Sequence, residues 1–191
     1  MRLIVSALIG IGLIIIILII IFRAFASLGD TNQSSNDEAK QSGLVEQSDN
    51  DSTMRLTIQG QVNSDQAHRQ IVISVSRSHV EFQVMQGYQG TVIDSETVNN
   101  NESAYATFLR SLDLAGFTKG DTDKSLQDER GYCPRGQRYV LEAKGDDLNT
   151  RFWSTTCGNT PNTSQAQVSL VVSLFQAQVP DYGTRTSNVA L

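Results

Sequence analysis

The N-terminal hydrophobic run is the feature that most restricts what this chain can become. Residues 3–22, LIVSALIGIGLIIIILIIIF, contain no charged side chain. A helix rises about 1.5 Å per residue, so a run of this length matches the roughly 30 Å hydrocarbon core of a bilayer. The sequence therefore predicts a transmembrane helix within a membrane anchor over residues 1–26, with the lipid bilayer as the partner of residues 3–22.

A cleaved signal peptide is the alternative interpretation of the same run. Arg2 supplies a basic start, and Ala24 and Ala26 stand in the small-x-small pattern of a cleavage site. Cleavage following Ala26 would release a secreted protein. The hydrophobic region of a signal peptide usually extends over about 7–15 residues. Because this run is longer and is closed by Arg23, we favour an uncleaved anchor.

A polar segment follows over residues 27–53. It contains one lysine against six acidic residues, and its only sizeable apolar side chains are Leu28, Leu44 and Val45. Such a composition buries too little apolar surface to offset the conformational entropy of the chain. The segment is therefore predicted to be a flexible acidic linker that holds a folded domain away from the membrane.

Alternation of apolar and polar residues predicts where the folded domain, residues 54–182, begins. The period-2 pattern of a half-buried strand is present over residues 54–62, 71–77 and 80–84, and more weakly over 91–98. Short polar or glycine-containing links separate the last three of these segments. Because the links are short, the strands are predicted to form an antiparallel meander.

Two helices are predicted to cover one face of this sheet. Asn101 can cap the first, which Gly116 ends. Its apolar residues fall at i, i+3, i+4 and i+7, namely Tyr105, Phe108, Leu109 and Leu112. The second is predicted over residues 164–179 before Pro180, with a strand as the alternative because the segment is rich in valine. The predicted fold class is α+β, and residues 183–191 are predicted to be a disordered tail.

A hairpin is predicted near the end of the domain. Residues 137–144 and 150–156 are rich in β-forming side chains and flank GDDLN, whose glycine and aspartates suit a turn. Lys144 would then pair with Asn149 across a four-residue loop. This register fixes where the two cysteines of the chain lie.

In that register Cys157 lies opposite Gly136, within reach of Cys133 for a disulfide. A zinc site needs about four ligands, and the chain offers only His68 and His79 besides the two thiols. The C-x-x-C spacing of redox pairs is absent. We therefore predict a structural disulfide, with free buried thiols, metal binding and catalysis as the alternatives. A disulfide implies an oxidising compartment, and hence an extracytoplasmic domain with a cytoplasmic N-terminus.

A basic and aromatic patch is a candidate partner-binding site. Arg135, Arg138, Arg151 and Trp153 lie in or beside the predicted hairpin. If exposed together, they could bind an envelope protein or glycan. The alternative is that several of the aromatic residues in this region serve the core. The net charge of −5 argues against nucleic acid as a partner.

No motif in the sequence indicates a catalytic activity. The patterns G-x-S-x-G, S-x-x-K and H-E-x-x-H are absent from the soluble domain, and both histidines are expected to be exposed in turns. Residues 120–131 are acidic but do not match a calcium-binding EF-hand loop, and we expect no metal or cofactor. We hypothesise a non-catalytic binding module of the cell envelope. The alternatives are an envelope enzyme without a visible motif and a structural subunit of a surface assembly.

Overall fold

A computed structural model describes residues 43–47 and 51–191. The predicted membrane span over residues 3–22, the alternative cleavage site and most of the predicted linker lie outside the described residues. Within the part of the chain that is described, no helix is both long and apolar enough to cross a bilayer.

Among the described residues, six antiparallel strands form a sheet. They are β1 Thr53–Gln59, β2 Arg69–Ser76, β3 His79–Gln86, β4 Thr91–Asn99, β5 Arg138–Lys144 and β6 Asn149–Thr155. Their order across the sheet is β4-β3-β2-β1-β5-β6. The predicted meander and hairpin are joined side by side, because β5 pairs with β1. With the helices that cover it, this sheet gives the domain the predicted α+β fold.

The alternation along each strand gives the sheet two different faces. Leu56 of β1 lies in register with Ile73 of β2 and with Leu141 of β5, and all three side chains belong to the hydrophobic core. Neighbouring residues along each strand point the opposite way, because successive side chains alternate between faces. We call the face away from the core the second face. It is the face on which the candidate site lies.

Helix α1, Glu102–Leu114, forms where it was predicted. The backbone N–H of Ala104 donates to the Asn101 side chain at 3.0 Å, so Asn101 is the N-cap. The predicted apolar positions are all buried against the sheet, namely Tyr105, Phe108, Leu109 and Leu112. Gly116 follows with a φ of +75°, which glycine adopts without strain.

Helix α2 extends over Val168–Gln176, so it begins four residues later than predicted. Residues 163 and 164 instead lie along the edge of β6. The backbone N–H groups of Thr163 and Ser164 both donate to the carbonyl of Trp153, at 3.0 and 2.9 Å. A buried backbone group must find a partner, and pairing along this strand edge competes with helix formation here.

The folded domain begins earlier than residue 54. Leu44, assigned to the linker from the sequence, lies in a 3₁₀ turn, Leu44–Gln47, and is buried in the core. Ser52 is buried as well, and its carbonyl accepts a 2.8 Å hydrogen bond from the Tyr105 hydroxyl. The end of the predicted linker is therefore part of the fold, because one of its few apolar side chains reaches the core.

The C-terminal residues also differ from the prediction of a disordered tail over 183–191. A short helix, α3, forms over Tyr182–Thr186. Arg185 of this helix pairs with Glu96 at 2.7 Å on β4, and the side chains of Val189 and Leu191 pack against the core. These contacts join residues distant in sequence, so the polar local composition did not reveal them.

The β5–β6 hairpin and the disulfide agree with their predicted register. Lys144 pairs with Asn149 across a four-residue loop. Cys133 and Cys157 form a disulfide with a Cα–Cα distance of 5.6 Å. The N–H of Gly136 donates to the carbonyl of Cys133 at 3.2 Å, and this turn brings Cys133 to the open end of the hairpin.

Candidate functional site

The predicted basic and aromatic patch does not form one exposed surface. Trp153 is fully buried and Arg138 is only 4% exposed. Arg151 is partly buried, whereas Arg135 is exposed beside the disulfide. The strands turn Arg138, Arg151 and Trp153 toward the second face, where the loop over residues 120–136 lies against them through residues 126–132. Alternation in sequence could place these side chains on one face but could not show that a loop covers that face.

Trp153 holds this covering loop onto the sheet. Its indole Nε1 donates to the carbonyl of Leu126 at 2.6 Å. Its ring stacks on Tyr132 with a centroid distance of 5.1 Å and an interplanar angle of 26°. Arg151 adds a 2.7 Å hydrogen bond from Nη1 to the carbonyl of Gln127. Two residues expected to contact a partner therefore position a loop instead.

The acidic residues within this loop mostly bind neighbouring protein groups. Asp123 accepts hydrogen bonds from the backbone and side chain of Ser125 at 2.9 and 2.8 Å. Asp128 accepts from Arg130 Nε and Nη2, both at 2.8 Å. In the described part of the chain, no group of three or more His, Cys, Asp or Glu residues is arranged to hold a metal ion.

The Asp128 carboxylate provides a test of this loop geometry. Its hydrogen bonds from Arg130 lower its pKa from 3.8 to about 2. Replacing Arg130 with Gln is expected to raise the Asp128 pKa toward 3.8, as measured by NMR titration of the carboxyl carbon. Since the folded-state pKa is lowered, this pair stabilises the fold above pH 3.8 and loses that effect as the pH falls toward 2.

Lys124→Gln is the matched control, since Lys124 is an exposed cation of the same loop that does not contribute to this shift. The Asp128 pKa should be unchanged in this variant. An unchanged Asp128 pKa in Arg130→Gln would contradict the described pairing.

Three polar side chains in adjacent strands form the floor of a cleft on the second face. Gln59 at the end of β1 lies in register with Gln70 of β2 on one side and with Arg138 of β5 on the other. Their alignment follows from strand pairing, because residues opposite each other in a sheet share a face. Arg138 Nη2 donates to the carbonyl of Gly60 at 3.1 Å.

Glu129 forms one wall of this cleft. Although it belongs to a loop, it is only 4% exposed. Its Oε1 accepts from Gln59 Nε2 at 3.0 Å, and its Oε2 accepts from Arg151 Nη2 in an ion pair. Both carboxylate oxygens therefore bind protein donors, and the loop is fastened to β1 and to β6.

A stacked His68–Tyr88 pair forms the opposite wall. The expectation of an exposed turn histidine is wrong for His68, which is 1% exposed, with Nδ1 3.2 Å from the carbonyl oxygen of Gln61. Tyr88 covers it, with ring centroids 4.3 Å apart and an interplanar angle of 14°. The Tyr88 hydroxyl donates to the carbonyl of Asn63 at 2.8 Å, which fixes the ring while leaving Tyr88 49% exposed.

These walls enclose a cleft of about 420 Å³. Its lining consists of Gln59, Val62, His68, Gln70, Tyr88, Glu129, Arg130, Gly131 and Arg138. The N–H of Val62 donates to the carbonyl of Pro134 at 2.8 Å, which links the rim to the loop held by the disulfide. A concave site with a few convergent polar groups can bind a small ligand and fix its orientation.

A second cleft, of about 520 Å³, lies at the other end of the sheet. It contains the exposed residues His79 and Ser78, whose Nδ1 and hydroxyl oxygen are 2.9 Å apart. Arg77 there pairs with Glu102. The cleft lined by Gln59 and Arg138 is the stronger candidate because two of its charged side chains, Glu129 and Arg138, are buried. Burying a charge is unfavourable unless the charge is paired or hydrogen-bonded.

Comparison with protein-family models and with curated proteins finds no match to this chain. Of the sequence-predicted patch, the structure places only Arg138 in the lining of the cleft, while Arg151 supports it through Glu129. The sequence reasoning missed Gln59, Gln70, Glu129, His68 and Tyr88 as members of a common site. The one available signal was the shared polar face of the strands that carry Gln59 and Gln70.

Proposed function

We propose that this chain is a tethered, extracytoplasmic binding module. Its ligand site is the cleft whose floor is formed by Gln59, Gln70 and Arg138. The observation that carries the proposal is the convergence of buried polar groups, Glu129, Arg138 and His68, around one concave surface. Function of this kind needs a ligand site but no reactive group. The ligand is an envelope component, either a protein or a glycan.

The proposed location rests on the N-terminal sequence and on the disulfide. Residues 3–22 are apolar enough to anchor the chain in a membrane, and the polar segment after them would let the domain reach its ligand. Disulfides persist in oxidising compartments, which supports an exterior position for the domain. Cleavage following Ala26 would instead yield a secreted module with the same cleft.

A binding role is favoured over catalysis by how the charged and titratable groups of the cleft are used. Both oxygens of Glu129 accept hydrogen bonds from protein donors, and the His68 ring is stacked under Tyr88. A general base must reach the proton that it removes from a substrate. In this cleft both side chains serve as fixed structural elements of the walls.

The proposal is tested by narrowing the cleft. Val62 is 49% exposed at its rim, so Val62→Trp fills the cleft without disturbing the core. The purified full chain, held in detergent micelles, is mixed with the insoluble envelope polymer of the cells that produce it, prepared with the envelope proteins still attached. We expect the polymer to sediment the wild-type chain, with affinity for Val62→Trp at least about tenfold weaker.

Leu114→Trp is the matched control, since Leu114 is 80% exposed at the end of α1 and does not line the cleft. This variant should bind as the wild type does. No binding by the wild-type chain, or equal binding by Val62→Trp, would overturn the proposed function.

A further inference from the structure

We propose that the cleft takes a carboxylated sugar whose carboxylate pairs with the guanidinium of Arg138. This inference rests on the proposed function, because it names the chemistry of the ligand for the same cleft. The observation that points to it is a buried guanidinium that has no carboxylate partner among the described residues.

The charges around the cleft do not balance. Asp128 pairs with Arg130, and Glu129 pairs with Arg151. Arg138 forms no ion pair within the described part of the chain, and its Nε is buried without a hydrogen-bond acceptor. A buried cation is unfavourable unless it is paired. An anionic group of a ligand would supply the missing partner, and a carboxylate matches the planar geometry of a guanidinium.

The side chains of Gln59 and Gln70, which complete the floor of the cleft, can bind the hydroxyl groups of a ligand. The amide of Gln59 donates to Glu129, and the amide of Gln70 donates to the carbonyl of Gly87. Their amide oxygens accept no hydrogen bond from the described residues. An amide oxygen has two lone pairs, so each can accept from a ligand hydroxyl. A sugar acid carries several hydroxyls beside one carboxylate.

The rim adds apolar surface of the kind that packs against a sugar ring. Val62 and Tyr88 are each 49% exposed, and both line the cleft. The C–H face of a pyranose ring is apolar, so it can be buried against such side chains while its hydroxyls remain hydrogen-bonded. The hydrogen bond from the Tyr88 hydroxyl to Asn63 holds the ring in position before a ligand arrives.

A sugar fits better than an extended peptide. Peptides that bind sheets commonly add a strand to an exposed edge. The cleft floor is instead formed by β2, β1 and β5, which have neighbouring strands on both sides. The backbone groups of these strands are used within the sheet, so only side chains are available to a ligand.

The test compares sugars that differ only at one carbon. The full chain, labelled with ¹⁵N and held in lipid nanodiscs, is titrated with galacturonate and with galactose, and likewise with glucuronate and glucose. The signal of the Arg138 Nε–H group is followed by NMR and assigned with Arg138→Lys. A small sugar acid is expected to bind with a dissociation constant of about 1 mM, from the usual ligand efficiency. The neutral sugar should bind at least about tenfold more weakly.

Arg138→Gln is expected to weaken binding of the sugar acid by about tenfold to a hundredfold, and Arg138→Lys by less, since lysine keeps the charge but not the planar donor pair. Fluorescence of Trp153, the only tryptophan of the chain, reports whether each variant folds. If Arg138→Gln does not fold, the comparison of charged and neutral sugars on the wild-type chain still tests whether binding requires the carboxylate.

Three results would overturn the inference. They are no saturable shift with either sugar acid, equal binding of the neutral sugars, and equally tight binding of acetate or N-acetylaspartate, which would remove the requirement for a sugar. If Val62→Trp still loses binding to the envelope polymer in any of these cases, the proposed function stands and only the ligand class is wrong. If Val62→Trp binds the polymer normally, the proposed function itself fails.

Discussion

Replacing Cys133 with Ser is expected to lower the free energy of unfolding by roughly 3–4 kcal/mol, from the loop-closure entropy of the disulfide. The disulfide joins residues 24 positions apart, and its partner Cys157 lies just after β6. Without it, the turn that carries Cys133 is free to leave the open end of the hairpin. Urea denaturation followed by Trp153 fluorescence measures the loss.

Cys157→Ser and the double variant provide the controls. Because a single covalent bond is removed in each case, all three variants should be destabilised about equally. Losses that add in the double variant would show that the two residues act independently and would contradict the disulfide. Reducing the wild-type protein should reproduce the effect, whereas the double variant should not respond to the reductant.

Replacing Trp153 with Ala is expected to cost about 3–5 kcal/mol, the range for deleting a large buried aromatic side chain. Trp153 is fully buried, stacks on Tyr132 and donates to the carbonyl of Leu126. Its loss removes packing on the second face and also the contact that fastens the covering loop. The measurement is the midpoint and slope of urea denaturation, followed by circular dichroism because the variant lacks its tryptophan.

Trp153→Phe separates packing from hydrogen bonding. It keeps much of the buried aromatic surface but removes the indole N–H, so a loss clearly smaller than that of Trp153→Ala is expected. Leu114→Ala, at an exposed position, should change stability by no more than about 0.5 kcal/mol. A Trp153→Ala variant with wild-type stability but no ligand binding would contradict the structural role and restore the predicted patch.

The elements predicted correctly depend on neighbouring residues in the sequence. The alternation in β1 follows from the two-residue period of a strand, and the Asn101 cap acts on the amide three residues later. The disulfide followed from the pairing of Lys144 with Asn149, which a short turn sets. In each case the decisive interaction joins residues close in sequence, or follows directly from the register that a short turn sets.

The cleft could not be predicted because its members meet only in the tertiary structure. His68 is buried by Tyr88, which lies beyond two strands in the chain. Glu129 reaches Gln59 across 70 residues of sequence. The exposure of Arg138 and Trp153 depended on residues 120–136, whose irregular sequence contains no period that indicates which face they cover. Leu44 and Arg185 were missed for the same reason, since their partners are distant.

Labelling of the cysteines on intact cells tests whether a disulfide-closed domain lies outside the cytoplasm. Cells are treated with a membrane-impermeant maleimide that shifts gel mobility, before and after an impermeant reductant. We expect labelling only after reduction, and none in the double variant, because Cys133 and Cys157 are the only cysteines of the chain. Labelling that requires cell lysis but no reductant would place free thiols in the cytoplasm and contradict both the disulfide and the proposed location.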